Sequence, residues 1–283
     1  MVLRTPERAG ALDDVAALDA LRASLRDLGS VVVAFSGGAD SAFLAFVATD
    51  ALGPDRALCA TAVSPSLAPE ELDDCRALSV EWGLRFVEVA TGELDDPAYA
   101  RNDAERCFHC KSALLDALEP LAESATATVV LGVNTDDLGD HRPGQRAASE
   151  RGARFPLVEA GLSKAHVRLL SRRLGLRTWD KPAAACLASR LPYGTPVTLG
   201  TLDTVARAES ALRALGFRQL RVRHYGELAR IELDEADLPA ALARRHDVVA
   251  AVRGAGYRYV TLDLEGFRSG NLNHSLHASE GGA

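Results

Sequence analysis

The chain has 283 residues, room for one large domain or two modest ones at about 150 residues each, and its 47% hydrophobic and 25% charged content excludes a disordered or fibrous protein. A formal net charge of -7 speaks against an extended nucleic-acid surface, and no apolar run approaches the roughly 20 residues of a membrane-spanning helix. Of the 32 basic residues only Lys111, Lys164 and Lys181 are lysines, and a lysine kept against such a bias is a candidate for a role that needs a compact ammonium.

Residues 12–28 place Leu12, Val15, Leu18, Leu21, Leu25 and Leu28 three and four apart, which predicts a helix ended by Gly29 and Ser30. Residues 31–35 are a continuous apolar run, as in a buried parallel strand, and the apolar segment after SGGAD predicts a helix. The alternation continues with a strand at 57–64, a helix at 69–83, a strand at 84–90, a helix over most of 103–123 and a strand at 128–133. A short helix near 145–152, a short strand and turn at 153–159 and a helix at 164–175 follow. This order predicts an α/β fold, a Rossmann-like parallel sheet with helices on both faces. Pro192, Tyr193, Gly194, Thr195 and Pro196 form a turn-rich hinge. Beyond it a helix (198–215), strands (217–223 and 227–233), a helix (236–253) and a strand (257–264) predict a small α+β domain with an antiparallel sheet. The expected divisions are 1–191, 192–275 and a frayed tail at 276–283.

Ser36, Gly37, Gly38, Ala39, Asp40 and Ser41 lie between a buried strand and an apolar helix. The glycines let backbone N–H groups approach an anion, and the helix N-terminus adds positive dipole. Ser36 and Ser41 are hydroxyl donors. Asp40 makes sense beside phosphates if Mg²⁺ lies between them. The segment is neither a Walker A loop nor G-x-G-x-x-G. SGGxDS after a hydrophobic strand resembles the PP-loop of ATP pyrophosphatases; the plainer reading is a glycine-rich turn with a Ser/Asp helix cap. A second loop, GVNTDDLGD, follows the strand at 128–133. In an open parallel sheet it sits at the ligand-binding end, bringing Asn134 and Asp137 toward the nucleotide or a metal; the alternative is an acidic surface loop.

The first residues lack the apolar core of a signal peptide, so a cytoplasmic protein is expected, and its five cysteines are then thiols, ligands or catalysts rather than disulfides. Cys186 lies in KPAAACLASRLPYG, where Lys181 and Arg190 are candidates to lower its thiol pKa or hold an anion. Cys107 and Cys110 form a single C-x-x-C, on one face of a helix. Two packed thiols are one reading. The other is a three-cysteine site with Cys186, since three thiolates leave one iron of a [4Fe–4S] cluster open. Cys59 and Cys75 read as packing residues. Arg218, Arg221 and Arg223 alternate near His224. Two guanidinium groups side by side on one strand face repel unless an anion lies between them, so phosphate binding competes with a solvated edge strand.

Together SGGADS, RCFHCK, GVNTDDLGDHRPG, FPLVEAGLSK, KPAAACLASRLPYG, RVRHYG and GFRSGNLN resemble the ATP-dependent sacrificial sulfur transferases of the LarE type, over residues 12 to 273. The resemblance implies a PP-loop domain and a smaller C-terminal domain, acting in nickel-pincer nucleotide cofactor biosynthesis for lactate racemase and related enzymes. The implied substrate is pyridinium-3,5-biscarboxylic acid mononucleotide, a small-molecule nucleotide. ATP adenylates a carboxylate, and a cysteine sulfur then attacks the acyl adenylate, leaving dehydroalanine; a three-cysteine form uses a [4Fe–4S] cluster instead. It implies that Ser36, Gly37, Gly38, Asp40 and Ser41 bind pyrophosphate and Mg²⁺, that Cys186 donates sulfur, and that Arg221 and Arg223 bind the substrate phosphate. It also implies a homo-oligomer, a hexamer; the net charge of -7 and the absence of a long apolar run point to no nucleic-acid or membrane partner. The rival readings are a tRNA thiolase or amide-forming PP-loop ligase, and a non-enzymatic adenine-nucleotide sensor.

Overall fold

In the computed structural model, residues 6–139, 143–182 and 185–268 are described. The expected tail at 276–283, and Asp140 and His141 of the second loop, lie outside them. In chain order the elements are α1 (Pro6–Leu28), β1 (Val31–Ala34), α2 (Ala39–Leu52), β2 (Ala57–Val63), α3 (Pro69–Glu81), β3 (Arg85–Ala90), α4 (Pro97–Ala100), α5 (Arg106–Ala125) and β4 (Thr128–Leu131). There follow α6 (Pro143–Glu150), α7 (Pro156–Glu159), α8 (Lys164–Arg173), α9 (Leu199–Ala214), β5 (Leu220–Tyr225), β6 (Leu228–Leu233), α10 (Leu238–Ala243), α11 (Arg245–Gly254) and β7 (Tyr259–Leu262). The chain divides into two compact units: residues 1–93 with 107–184, and residues 94–106 with 185–283.

The first unit is α/β. Its four strands run parallel in the order β3-β2-β1-β4. Alternation along β1 assigns the faces: Val31 and Val33 join the core formed with α1, α2 and α8, whereas Val32 packs with Leu114 and Leu118 of α5. Burial on both faces is why the strand reads VVVA without a polar residue. The chain steps from β1 outward to β2 and β3, then crosses back to place β4 on the other side of β1. The loops after β1 and β4 therefore diverge from neighbouring strands, the position where open α/β sheets form a ligand crevice. The expected strand at 153–159 is replaced by one bridge from Arg154 to Val130 and by α7. Pro156 at the first turn, with its φ fixed near the helical value, favours the helix.

In the second unit β5 and β6 are antiparallel, but β7 runs parallel to β6. This corrects the expected antiparallel sheet. The cause is the connection: α10 and α11 carry the chain back across the sheet, and such a crossover returns it in the same direction. The helix expected at 236–253 is broken into a 3₁₀ turn at Glu235–Asp237, α10 and α11, with Arg244 at the junction. Arg218 precedes β5 rather than alternating within it. Leu220, Val222, Ile231 and Leu233 pack with Leu212, Val248 and Val252 into this unit's own core. Among the described residues no helix is long and apolar enough to cross a membrane.

Candidate active site

The loop after β1 is shaped for close approach. Gly37 has φ +69, a left-handed value that glycine adopts without strain, and a side chain there would meet Cys75 Sγ at 2.9 Å. Gly38 then caps α2, with Asp40 in the first turn. The Ser36 and Ser41 hydroxyls lie 3.0 Å apart, and Ser41 Oγ donates to the Gly38 carbonyl at 3.2 Å. Gly132, at the end of β4, allows the second loop to close on this one: a Cβ there would lie 2.7 Å from the Ser41 backbone nitrogen.

That contact brings the two loops' polar groups together. Asn134 and Asp137 are buried. Asp137 Oδ2 accepts from the Asn134 backbone N–H, and Asn134 Oδ1 accepts from that of Asp136 at 3.0 Å. Burial holds the Asp40 carboxyl above the ordinary carboxylate range, and the neighbouring Asp137 raises it further. A hydrogen bond from Asn134 and the charges of Lys164 and Arg168 pull partly the other way. Lys164 Nζ pairs with Asp137 at 3.0 Å. Lys164 thus belongs to this cluster, and the scarcity of lysine was its signal. Arg168, one turn along α8, carried none.

Lys181 lies in the first unit, and its ammonium is engaged by carboxylates. Nζ donates to Glu71 at 2.8 Å and Asp74 at 2.6 Å. Burial alone would depress its pKa, but the hydrogen bonds and negative charges of these two carboxylates together outweigh that and raise it. Both partners lie on α3, at positions that no motif marked.

Cys186 belongs to the second unit, where it is exposed and caps a 3₁₀ turn, Leu187–Arg190. Arg190 is buried and meets the fully buried Glu209 through Nε (2.7 Å) and Nη2 (3.0 Å). Its Nη1 donates to the carbonyls of Ala185 and Cys186 at 2.7 and 3.1 Å. Arg190 therefore grips the backbone around Cys186, with its charge matched by Glu209. Asn102 and Arg106, unmarked in the sequence, lace the following turn: Asn102 Nδ2 donates to the carbonyls of Pro192 and Thr195, and Arg106 Nη1 to that of Ala188.

Arg221 and Arg223 do share a face of β5, and both are buried, which excludes a solvated edge. Arg223 pairs with Glu232 at 2.8 Å and donates to the Ser189 carbonyl. Arg221 stacks on Phe267 and has no carboxylate partner within 4 Å among the described residues. Burial, with the positive charges of Arg190 and Arg223, pushes its pKa down to about 10. A buried guanidinium without a carboxylate partner costs free energy that a bound anion would offset.

Cys107 is exposed and Cys110 half-buried, both on α5 in the first unit. Among the described residues no group of three or more His, Cys, Asp or Glu side chains is arranged to hold a metal ion. Cys59 is fully buried in the core, and burial pushes its thiol pKa up to about 12.

Residues 16–106 match the family described as NAD synthase. Over 92% of this chain and 97% of the relative, the sequence is 47% identical to an uncharacterised protein of Synechocystis sp.. It is 40% identical to the pyridinium-3,5-bisthiocarboxylic acid mononucleotide synthase of Lactiplantibacillus plantarum, over 90% of this chain and 93% of that one. An uncharacterised protein of Methanocaldococcus jannaschii is 25% identical over 84% of this chain and 91% of its own.

Proposed function

The chain belongs to the LarE-type ATP-dependent sulfur transferases of the PP-loop superfamily, and on that premise we propose that it adenylates a carboxylate of pyridinium-3,5-biscarboxylic acid mononucleotide and then passes on the sulfur of Cys186. The observation that carries this reading is the 40% identity, along nearly the whole of both chains, to a synthase named for the bisthiocarboxylic product.

A carboxylate is a poor electrophile because its oxygen is a poor leaving group. Attack of that oxygen on the α-phosphorus of ATP breaks the α–β bond, releases pyrophosphate and leaves an acyl adenylate, whose leaving group is AMP. The loop amides at 36–41, the start of α2 and the hydroxyls of Ser36 and Ser41 supply donors for the phosphates. Asp40 and Asp137 are hard oxygen donors from adjacent loops, and their mutual repulsion in a buried setting is what a divalent cation would relieve. They would hold Mg²⁺, which when bound supplies charge neutralisation on the phosphates; Asn134 orients the pair.

The Cys186 thiolate then attacks the acyl carbon, AMP departs and a thioester forms. Loss of the Cys186 Cα proton and cleavage of its Cβ–S bond send the bonding pair to sulfur. The substrate leaves as a thiocarboxylate and residue 186 remains as dehydroalanine, so two sulfur atoms require two protein molecules. Arg221 and Arg223 take the phosphate of the mononucleotide, and Arg190 positions the Cys186 backbone. The active form is a cytoplasmic homo-oligomer.

The test is reaction with ATP, Mg²⁺ and the dicarboxylate mononucleotide, followed by intact-protein mass. The expected protein product lacks the elements of hydrogen sulfide at residue 186. Sulfur transfer with Cys186 intact would remove the sacrificial step, and ATP binding without pyrophosphate release would favour a nucleotide sensor.

A further inference from the structure

We propose that Lys181 is the cation that binds the pyrophosphate end of ATP, serving adenylation and not the thiol of Cys186. This rests on the adenylating reading of the phosphate loop given above.

The first observation is where the ammonium lies. A side chain at Gly37 would come within 3.6 Å of Lys181 Nζ. The charge therefore packs against the first glycine of the loop whose amides would face the phosphates.

The second is the donor count. An ammonium has three N–H donors and no acceptor. Glu71 and Asp74 take two. The third has no acceptor among the described residues, and the side chain keeps 16% of its surface exposed. A group held by two bonds and left with one donor is placed to receive an anion.

The third is how firmly the group is held. Asp74 is itself fixed by Arg177 Nη2 at 2.6 Å, and Arg177 Nε reaches Glu81 at 2.8 Å. Arg168 Nη2 donates to the Lys181 carbonyl at 3.2 Å. Backbone and head are thus anchored by separate elements, α8 and α3. A charge held in place before the reaction need not reorganise as negative charge grows on the leaving pyrophosphate. The shape also explains lysine in a chain with 29 arginines among its 32 basic residues. A planar guanidinium is wider than an ammonium and spreads its donors in a fixed fork, which does not suit a head wedged between two carboxylates and a glycine.

The experiment measures binding of magnesium pyrophosphate and, separately, of AMP to the full-length protein by calorimetry. Lys181→Gln is expected to weaken pyrophosphate binding about ten-fold or more and to leave AMP binding unchanged. Glu71→Gln removes a negative charge from the clamp and keeps Lys181, so it is expected to bind pyrophosphate at least as tightly as the parent. Lys181→Arg keeps the positive charge beside Glu71 and Asp74 but not the ammonium geometry, and is expected to weaken pyrophosphate binding several-fold; it decides the matter if the glutamine variant does not fold. The pH profile of Cys186 alkylation by iodoacetamide is expected to stay the same in both lysine variants. Unchanged pyrophosphate affinity in the lysine variants would overturn the proposal. So would an equal loss in Glu71→Gln, which would make the clamp purely structural, or a shifted alkylation profile with pyrophosphate binding intact. If the parent protein binds neither pyrophosphate nor ATP, the adenylating reading itself falls.

Discussion

Arg190 and Glu209 are both buried and meet in a two-point ion pair, Nε to Oε1 at 2.7 Å and Nη2 to Oε2 at 3.0 Å. The pair joins α9 to the turn that presents Cys186, because the remaining Arg190 nitrogen holds the carbonyls of residues 185 and 186. Glu209 also accepts from Arg213 Nη2 and the Val222 N–H, each at 3.0 Å. Glu209→Ala leaves buried positive charge uncompensated, and the expected cost is about 3–5 kcal/mol. Denaturant unfolding measures it. Amide exchange at residues 185–190 should accelerate by more than at β1, since the lost anchor is local; uniform acceleration would contradict the anchoring role.

Gly132→Ala tests the closure of the two nucleotide loops. Its Cβ would lie 2.7 Å from Ser41 N and 2.8 Å from Ser41 Cα, backbone atoms that no side-chain rotation can move aside. ATP affinity is expected to fall sharply while the second unit is unaffected. Gly200→Ala, where the nearest atom is the Thr198 hydroxyl at 3.9 Å, is the control and should leave both stability and ATP affinity near the parent values. Equal ATP affinity in both variants would show that the loops need not close.

Much of this was legible in the chain because apolar periodicity and glycine placement are local signals. VVVA followed by SGGADS specifies strand, loop and helix within a few residues, and β1, α2 and the ligand end of the sheet follow from it. Burial of the Arg221 and Arg223 pair was not local. It depends on Ser189 and Phe267, remote in sequence from β5. The partners of Lys181 were hidden for the same reason: Glu71 and Asp74 lie more than 100 residues away on a helix whose exposed face is rich in acids, where nothing separates a clamp from ordinary surface charge. The parallel pairing of β7 was legible in the chain, because a helical segment between β6 and β7 is a crossover that returns the strand in the same direction whether or not it breaks at Arg244.

Asp40→Asn separates stability from function. Burial, reinforced by Asp137, holds the folded-state pKa above the unfolded value of about 3.9. The native state therefore binds this proton more tightly than the unfolded state. Stability falls as pH rises through the window that starts at the unfolded value, and the cost remains at neutral pH. Removing the charge is expected to raise Tm at pH 7 and to flatten that part of the stability profile. On the proposed role of Asp40 beside the cation, ATP-dependent pyrophosphate release should drop about 100-fold. A lower Tm at pH 7 would mean that Asp40 is held by its partners and is not under strain.

Arg221→Met applies the same logic to a cation. Burial and the charges of Arg190 and Arg223 depress the Arg221 pKa to about 10, so the protonated form is the disfavoured one in the folded chain. The cost is fully present at neutral pH and is relieved only as pH rises through about 10, the reverse of the case of a base that gains a partner. Methionine fills comparable space without charge and keeps an apolar contact with Phe267. The variant is expected to be more stable than the parent at pH 7 in thermal unfolding. Its affinity for a nucleoside 5′-monophosphate or for the pyridinium mononucleotide should fall about ten-fold or more, the size of a lost charge-assisted contact to phosphate. Both properties moving down together would assign Arg221 to packing on Phe267, and the phosphate would then have to be sought elsewhere in the chain.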